Sequence, residues 1–221
     1  MNGPRRHRPR KRFGQNFLVD QAVIGRIIAT IAPQPDERIF EIGPGQQAHT
    51  GPLIDSGARV TVVEIDRDLA ARLRVNRPSL EVVEADALTV DFANLADGEP
   101  YRLVGNLPYN ISTPILFHLL DQAPAPIDMH FMLQKEVVDR MVARPGDRHQ
   151  GRLGLMCHNR AEIDRLFDVP PTAFEPAPKV DSAIVRLRPR QTPLVPESLD
   201  AEFDELVRLA FSKRRKTLRN S

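Results

Sequence analysis

Short apolar runs alternate with amphipathic stretches along most of the chain. The β-rich runs cover residues 38–42, 59–65, 80–85, 101–105 and 127–133. Patterns typical of helices lie between and after them, around residue 53 and at 69–73, 115–120 and 134–143. This alternation is typical of a parallel, doubly wound sheet, which binds ligands at the carboxyl ends of its strands. We therefore expect the functional residues at strand ends.

The two ends of this alternation carry further predicted elements. A helix is predicted between residues 20 and 33, where isoleucines recur at helical spacing between an aspartate cap and a proline. Residues 163–169 and 182–187 are predicted to form an antiparallel hairpin at the sheet edge. Residues 188–196 have the composition of a linker, and 199–211 form an amphipathic pattern. The whole pattern predicts an α/β, Rossmann-like sheet of seven strands with a helical C-terminal part.

The charged residues are distributed unevenly. The formal net charge is +2, but residues 1–12 and 208–219 each carry six Lys or Arg and no acid. The rest of the chain has 19 basic against 29 acidic residues, a net charge near −10. Cationic segments of this kind neutralise nucleic-acid phosphates and release counterions, although solvated tails can have the same composition. Of the two, we favour contact with nucleic acid.

Composition excludes several other classes of protein. No apolar stretch approaches the roughly 20 residues of a membrane helix, and the arginine-rich N-terminus lacks the apolar core of a secretory signal. A single cysteine, Cys157, rules out an internal disulfide and suits a reducing compartment. The histidines show no metal-ligand spacing with each other or with Cys157. We expect a soluble, cytoplasmic monomer without a metal.

A candidate nucleoside site follows from three successive strand ends. The first strand ends in a turn at Gly43 and Gly45, where missing side chains let the backbone approach a ligand. The third glycine of a dinucleotide fingerprint is absent, which disfavours a nicotinamide cofactor. Glu64 ends the next strand about 20 residues later, the separation at which a carboxylate accepts from ribose hydroxyls. Asp86, after the third strand, is placed to accept from an adenine amino group.

A second candidate site, Asn106-Leu107-Pro108-Tyr109, follows the fourth strand. An exocyclic adenine amine is a poor nucleophile because its lone pair is delocalised into the ring. The Asn106 amide oxygen and the Leu107 carbonyl are predicted to accept its two hydrogens and to aim the lone pair at a methyl sulfonium. Pro108 stiffens the turn, and Tyr109 can stack on an extruded base. An ordinary β-turn is the alternative.

Five motifs together resemble the rRNA adenine N6-methyltransferases, over a match that runs from about residue 12 to residue 220. The motifs are Gly14-Gln15-Asn16-Phe17-Leu18, Glu41-Ile42-Gly43-Pro44-Gly45, Asn106-Leu107-Pro108-Tyr109, Gln134-Lys135-Glu136-Val137 and Pro178-Lys179-Val180-Asp181-Ser182. The resemblance implies a class I methyltransferase sheet and S-adenosylmethionine as methyl donor. It also implies a basic arm at 1–12, a methyltransferase domain at 13–188 and an incomplete, basic, RNA-binding helical domain at 189–221.

The resemblance also implies roles for individual residues. Asn16 and Leu18 would contact the cofactor together with Gly43, Gly45, Glu64, Asp86 and Asn106. Phe174 would hold the target adenine against Tyr109, and flipping a base into such a pocket is cheapest in unpaired RNA. The chain departs from the family pattern after Gly45, where Gln47 and His49 stand in place of an expected glycine and leucine.

The arginine-rich C-terminus is most similar to members that dimethylate two adjacent adenosines near the 3′ end of small-subunit rRNA, in the immature 30S subunit. Alternative functions are an Erm-like activity on large-subunit rRNA, methylation of a small molecule, and a noncatalytic factor that binds rRNA during assembly. Phe174 and the two basic ends argue against a small-molecule substrate. Gln47, His49 and the short C-terminus keep the noncatalytic factor in consideration.

Overall fold

The computed structural model describes residues 16–108 and 111–212. The strands in these ranges are β1 (Phe17–Leu18), β2 (Arg38–Ile42), β3 (Arg59–Glu64), β4 (Glu81–Glu84), β5 (Tyr101–Asn106), β6 (Met129–Gln134), β7 (Ala161–Val169), β8 (Phe174–Glu175) and β9 (Ser182–Pro189). The α-helices are α1 (Gln21–Ile31), α2 (Thr50–Asp55), α3 (Arg67–Asn76), α4 (Phe92–Leu95), α5 (Ser112–Leu120), α6 (Lys135–Val142), α7 (Arg152–Arg160) and α8 (Asp200–Ser212). Short 3-10 helices lie at Pro171–Ala173 and Glu197–Leu199.

Seven strands form one mixed sheet in the order β4-β3-β2-β5-β6-β9-β7. The pairs from β4 to β6 are parallel, and β9 is antiparallel to both β6 and β7. This topology confirms the predicted α/β fold and the predicted hairpin, in which β7 forms the edge and β9 lies inside the sheet. The strand order reverses between β2 and β5, and such a switch point opens a crevice beyond the carboxyl ends of the strands.

Helices cover both faces of the sheet. On one face, α1, α2 and α3 bury Ile27, Leu53 and Leu73 in a shared apolar cluster. On the other face, α5 and α6 contribute Ile115 and Val138 to a second cluster. Because both faces are covered, the central strands are buried almost throughout and show the apolar runs that predicted them. The sheet therefore forms a rigid base for the loops at its carboxyl edge.

The predicted helix after residue 20 is confirmed, including its cap. Asp20 Oδ1 accepts hydrogen bonds from the backbone N–H groups of Ala22 at 2.9 Å and Val23 at 3.2 Å. The helix ends at Ile31, and the next residue, Ala32, has a left-handed φ of 47° directly before Pro33. An N-cap aspartate and a following proline therefore set the two ends of α1.

Helix α7 and a small second sheet are among the features that were not predicted from the sequence. Helix α7 contains Gly154 and several polar residues, which weaken a helical pattern. The second feature is a two-stranded sheet in which β1 pairs antiparallel with β8, with Leu18 opposite Phe174. Strands of two residues carry no detectable periodicity. This pairing attaches the N-terminal segment to the loop between β7 and β9, next to the crevice.

Helix α8 packs against α7 and carries exposed apolar residues. Arg152 of α7 forms a 2.6 Å ion pair with Asp204, while Leu206 and Leu209 of α8 are exposed. The assignment of 189–221 to a separate RNA-binding domain stays a prediction, and its basic residues from 213 onward lie outside the described residues, as does the arm at 1–12. Across 16–108 and 111–212, every helix is too short or too polar to span a bilayer.

Candidate active site

A cavity of about 290 Å³ opens at the carboxyl ends of β2, β3 and β5. All the described residues that were predicted to contact the cofactor line it: Asn16, Leu18, Gly43, Gly45, Glu64, Asp86 and Asn106. Leu107 and Pro108 of the second candidate site also contribute to its wall. The crevice at the switch point thus brings the two predicted sites together in one space.

The turn after β2 requires glycine at both predicted positions. Gly43 and Gly45 have φ angles of 64° and 54°, in the left-handed region that glycine adopts without strain. A Cβ atom on Gly45 would lie 3.2 Å from the ring of Phe17, and one on Gly43 would lie 3.8 Å from the carbonyl oxygen of Asn106. The bare backbone of this turn therefore forms one wall of the cavity.

Glu64 lines the cavity and is only 4% exposed. Its Oε1 accepts a hydrogen bond from the Asp66 N–H at 2.9 Å, and its Oε2 accepts one from the Gly45 N–H at 3.4 Å. Burial raises the pKa of Glu64, while these two backbone donors act in the opposite direction. Each carboxylate oxygen has a second lone pair, so Glu64 can still accept hydrogen bonds from a diol.

Asp86 and several apolar residues also line the cavity. Asp86 Oδ1 accepts from the Leu88 N–H at 3.0 Å, which fixes the side chain at the loop after β4. Ile65, directly after Glu64, is 47% exposed and lines the cavity. Its role in the site was not predicted, although an isoleucine directly after an acid at a strand end could have indicated it. Other apolar lining residues that were not predicted include Phe17, Leu69, Leu88, Ile111 and Ile115.

Asn106 is the last residue of β5, and a hydrogen bond to the N-terminal segment fixes its side-chain amide. Its Nδ2 donates to the carbonyl oxygen of Asn16 at 3.2 Å, so Oδ1 lies on the opposite side of the amide group. Leu107 is 1% exposed, and its N–H donates to the Met132 carbonyl at 3.2 Å. The Ile111 N–H donates to the Pro108 carbonyl at 3.2 Å. Residues 109–110 lie outside the described ranges, and so does the predicted role of Tyr109.

Phe174 lies beside the cavity but not in its wall. The ring is 5% exposed and packs in the apolar cluster that also contains Leu18, its register partner. A base can stack only on an aromatic face that it can reach, so the predicted sandwich requires a displacement of this packing. The contact between Phe174 and a target adenine stays a prediction.

Three buried polar residues lie next to the glycine turn, and one of them, His49, also lines the cavity. Burial raises the pKa of Glu41 to about 7, although the Thr50 hydroxyl donates to its Oε2 at 2.6 Å. Burial lowers the pKa of His49 to about 4, so this histidine is neutral at neutral pH. His49 Nδ1 lies 3.7 Å from Glu41 Oε1, which is too long for a hydrogen bond, and its Nε2 has no hydrogen-bond partner. Within the described ranges, no group of three or more His, Cys, Asp or Glu is arranged to hold a metal ion.

The fold and the site together define a Rossmann-like methyltransferase. Two solved structures resemble the chain over most of its length. A dimethyladenosine transferase from Plasmodium falciparum superposes with a TM-score of 0.78 at 30% identity, covering 91% of this chain and 73% of that one. The 23S rRNA methyltransferase ErmE superposes with a TM-score of 0.74 at 36% identity, covering 93% of this chain and 82% of that one.

Sequence comparison then defines the family. A family model described as ribosomal RNA adenine dimethylase matches residues 6–221. A relative from Leptothrix cholodnii, named ribosomal RNA small subunit methyltransferase A, is 58% identical over 219 residues, which cover 98% of this chain and 80% of the relative. The chain belongs to the ribosomal RNA adenine dimethylase family, which confirms the resemblance inferred from the five motifs.

Proposed function

We propose that this protein transfers methyl groups from S-adenosylmethionine to the N6 amino groups of two adjacent adenosines near the 3′ end of small-subunit rRNA. The family and the 58% identical relative named as a small-subunit methyltransferase support the reaction and the substrate. The observation that carries the proposal is the Asn106 amide, which is fixed by a 3.2 Å hydrogen bond at the wall of a cavity that it shares with Glu64.

The cavity residues fit the methyl donor. Glu64 offers buried carboxylate oxygens to the ribose hydroxyls, and the backbone at Gly43 and Gly45 lines the cavity where the amino-acid end would lie. Asp86 and the exposed side chain of Ile65 provide an acceptor and an apolar surface for the adenine. The bound donor supplies a methyl group that is already activated as a sulfonium. The protein therefore needs to bind and orient rather than to supply a strong acid or base.

On the acceptor side, we assign Asn106 and Leu107 to the target amine. The hydrogen bond from Asn106 Nδ2 to Asn16 leaves Oδ1 as the end of the amide that can accept an N6 hydrogen. The Leu107 carbonyl accepts the other hydrogen, and both contacts turn the nitrogen lone pair toward the methyl group. As the N–C bond forms, the S–C bond of the donor breaks and S-adenosylhomocysteine leaves. The methylated amine then releases one proton to solvent. Holding two reactants in line can remove roughly 7 to 11 kcal/mol of a barrier. Positioning is therefore the main catalytic contribution of this site.

The partner in this proposal is small-subunit rRNA in the immature 30S subunit, bound by a monomer. The six basic residues at each end of the chain would contact the RNA backbone. Tyr109 and Phe174 would hold the extruded base, in the case of Phe174 after displacement of its packing against Leu18. One chain carries all the residues that the reaction requires under this proposal.

The test is radiolabelled methyl transfer to under-methylated small subunits, followed by mapping of the modified base. We expect Asn106→Ala to abolish transfer and to spare RNA affinity, because its role is to orient the amine. The exposed Asn76 in α3 provides a matched control, and Asn76→Ala should retain wild-type turnover. Near-normal turnover of Asn106→Ala would contradict the mechanism.

A second candidate is an Erm-like activity on large-subunit rRNA, which the 36% identity to ErmE supports. Parallel assays on 30S and 50S precursors distinguish the two, because the label should enter only one of them. The noncatalytic alternative predicts that calorimetry detects no binding of S-adenosylmethionine. Measurable binding of S-adenosylmethionine to the protein without RNA therefore favours an enzyme, and no binding favours an assembly factor.

A further inference from the structure

The glycine turn contains a residue whose backbone conformation is unusual for its type. Gln47 has a φ of 70°, in the left-handed region, and its N–H closes the turn by donating to the Pro44 carbonyl at 2.8 Å. Glycine adopts this region freely, whereas a residue with a Cβ is strained there. A glutamine at this position therefore needs a compensating contact if the turn is to keep its shape.

Arg77 supplies such a contact from another element. Its Nε donates to the Gln47 Oε1 at 2.8 Å, and its backbone N–H caps α3 by donating to the Leu73 carbonyl at 2.9 Å. The guanidinium also passes close to α2, where a Cβ on Gly51 would lie 3.0 Å from Nη2. The glutamine side chain is thus fixed to the C-terminal end of α3, across the start of α2.

The residues around this contact form the cavity wall. Gln46 and Ala48, on either side of Gln47, line the cavity, and Gly45 donates to Glu64 at 3.4 Å. A change in the φ of Gln47 would therefore move backbone and side chains that face the ligand. The glutamine itself does not line the cavity, because its side chain is directed to Arg77.

We propose that Gln47 and Arg77 form a clamp that holds the glycine turn in the conformation that binds the methyl donor. Both are therefore positioning residues for the donor. The proposal rests on the proposed function, since it takes the cavity as the donor site. In this clamp a side-chain hydrogen bond replaces the conformational freedom that a glycine would have at position 47. If the clamp exists, the effects of the two side chains on ligand affinity are coupled, and removing one of them lowers the affinity only when the other is present.

The experiment is a double-mutant cycle on the full chain, with the dissociation constant of S-adenosylhomocysteine measured by calorimetry. Gln47→Ala and Arg77→Ala should each weaken binding about tenfold, which corresponds to ~1.4 kcal/mol, and the double variant should be no weaker than either. Gln47→Gly should bind as the wild type does, and Arg77→Ala should have no effect in that background. Arg74→Ala, one turn earlier on α3 and paired with Glu84, controls for loss of a positive charge.

Kinetics and thermal unfolding of the same variants show whether the effect is on binding of the methyl donor or on folding. We expect a raised KM for the methyl donor with unchanged kcat in Gln47→Ala, because the clamp shapes the binding site and does not touch the amine. Additive effects of the two single variants, or a lower Tm with unchanged affinity for S-adenosylhomocysteine, would overturn the clamp. A wild-type protein that does not bind S-adenosylhomocysteine would instead overturn the proposed function, so the two failures are distinguishable.

Discussion

Glu64 shows how burial and function act together on one side chain. The carboxyl group is 4% exposed, and burial raises its pKa, yet the role proposed for it requires the ionised form. Ribose hydroxyls that donate to this group favour the carboxylate, so ligand binding lowers its pKa again. Binding of a nucleoside ligand is therefore coupled to the release of a proton when the pH is close to the pKa of the free protein.

This coupling predicts a pH-dependent affinity. The dissociation constant of S-adenosylhomocysteine should rise as the pH falls through the raised pKa of Glu64, because the protonated group accepts less well. Glu64→Gln should weaken binding by about 1.5 to 3 kcal/mol near neutral pH, the typical contribution of hydrogen bonds to a charged group. Calorimetry from pH 5 to 8 checks both effects. A wild-type affinity that does not change with pH would contradict the assignment of Glu64.

His49 and Glu41 predict opposite effects of pH on stability. The folded protein keeps His49 neutral down to a pKa of about 4, so between pH 4 and about 6.5 the unfolded chain binds more protons and stability rises with pH. Glu41, with a folded pKa of about 7, keeps its proton where the unfolded chain has lost it, so its contribution to stability falls from about pH 4.5 to about 7. The two slopes largely cancel in the wild type.

We therefore expect His49→Leu to stabilise the protein more at pH 5 than at pH 8, with a difference of about 2 kcal/mol, because the variant has no histidine at this position that binds a proton only in the unfolded chain. The stability of this variant should fall as the pH rises toward 7, because burial raises the pKa values of Glu41 and Glu64. Urea unfolding of both proteins at the two pH values gives the free energies of unfolding. An equal effect of the substitution at pH 5 and pH 8 would show that His49 does not titrate as assigned.

Among the helices and strands, the sequence predicted those whose apolar residues form clear runs or recur at a regular spacing. The strands from β2 to β6 and the β7–β9 hairpin are long enough for apolar runs or alternation to identify them. The sequence did not predict α7, because Gly154 interrupts its helical pattern. It did not predict the β1–β8 pair, or the burial of Phe174 that follows from it. These last features depend on contacts between segments far apart in the chain, which no local pattern records.

Two helical glycines predict opposite responses to the same substitution. Gly25 is an exposed residue in α1 with no atom within 4 Å of an added Cβ, so Gly25→Ala should stabilise the protein by about 0.8 to 1 kcal/mol through helix propensity. Gly154 in α7 lies against α6, where a Cβ would lie 2.5 Å from the Arg140 carbonyl oxygen. Gly154→Ala should therefore destabilise by about 1 to 3 kcal/mol. Urea unfolding measures both, and a stabilised Gly154→Ala would mean that the two helices can separate easily.

At the scale of the whole molecule, the sequence predicted which of the candidate site residues lie together around one cavity, but not what surrounds them. Residues such as Gly43, Glu64 and Asn106 were predicted together because parallel strands bring their carboxyl ends to one edge of the sheet. The apolar wall of the cavity and the hydrogen bond between Gln47 and Arg77 were not predicted, because they depend on how the loops pack against the ends of the strands. The charge distribution is likewise a property of the whole chain, with cationic ends on an acidic body.

This charge separation predicts the salt dependence of RNA binding. Deletion of residues 1–12 removes six basic residues, so the slope of log affinity against log salt should become less steep by up to about 5. Arg188→Ala is the control, because Arg188 already pairs with Glu162 and Asp164. Fluorescence anisotropy with small-subunit rRNA fragments over a range of KCl concentrations measures the slope. An unchanged slope after the deletion would show that the arm does not contact phosphates.

The pairing of β1 with β8 has a consequence for biosynthesis. Asn16 and Leu18, which line the cavity, are translated early, but the partner strand at Phe174–Glu175 is made much later, and β9 follows it. A chain that is still being translated therefore cannot complete the cavity until most of its sheet has left the ribosome. A ligand stabilises only a state that binds it, so the methyl donor can stabilise the fold only after its synthesis is nearly finished.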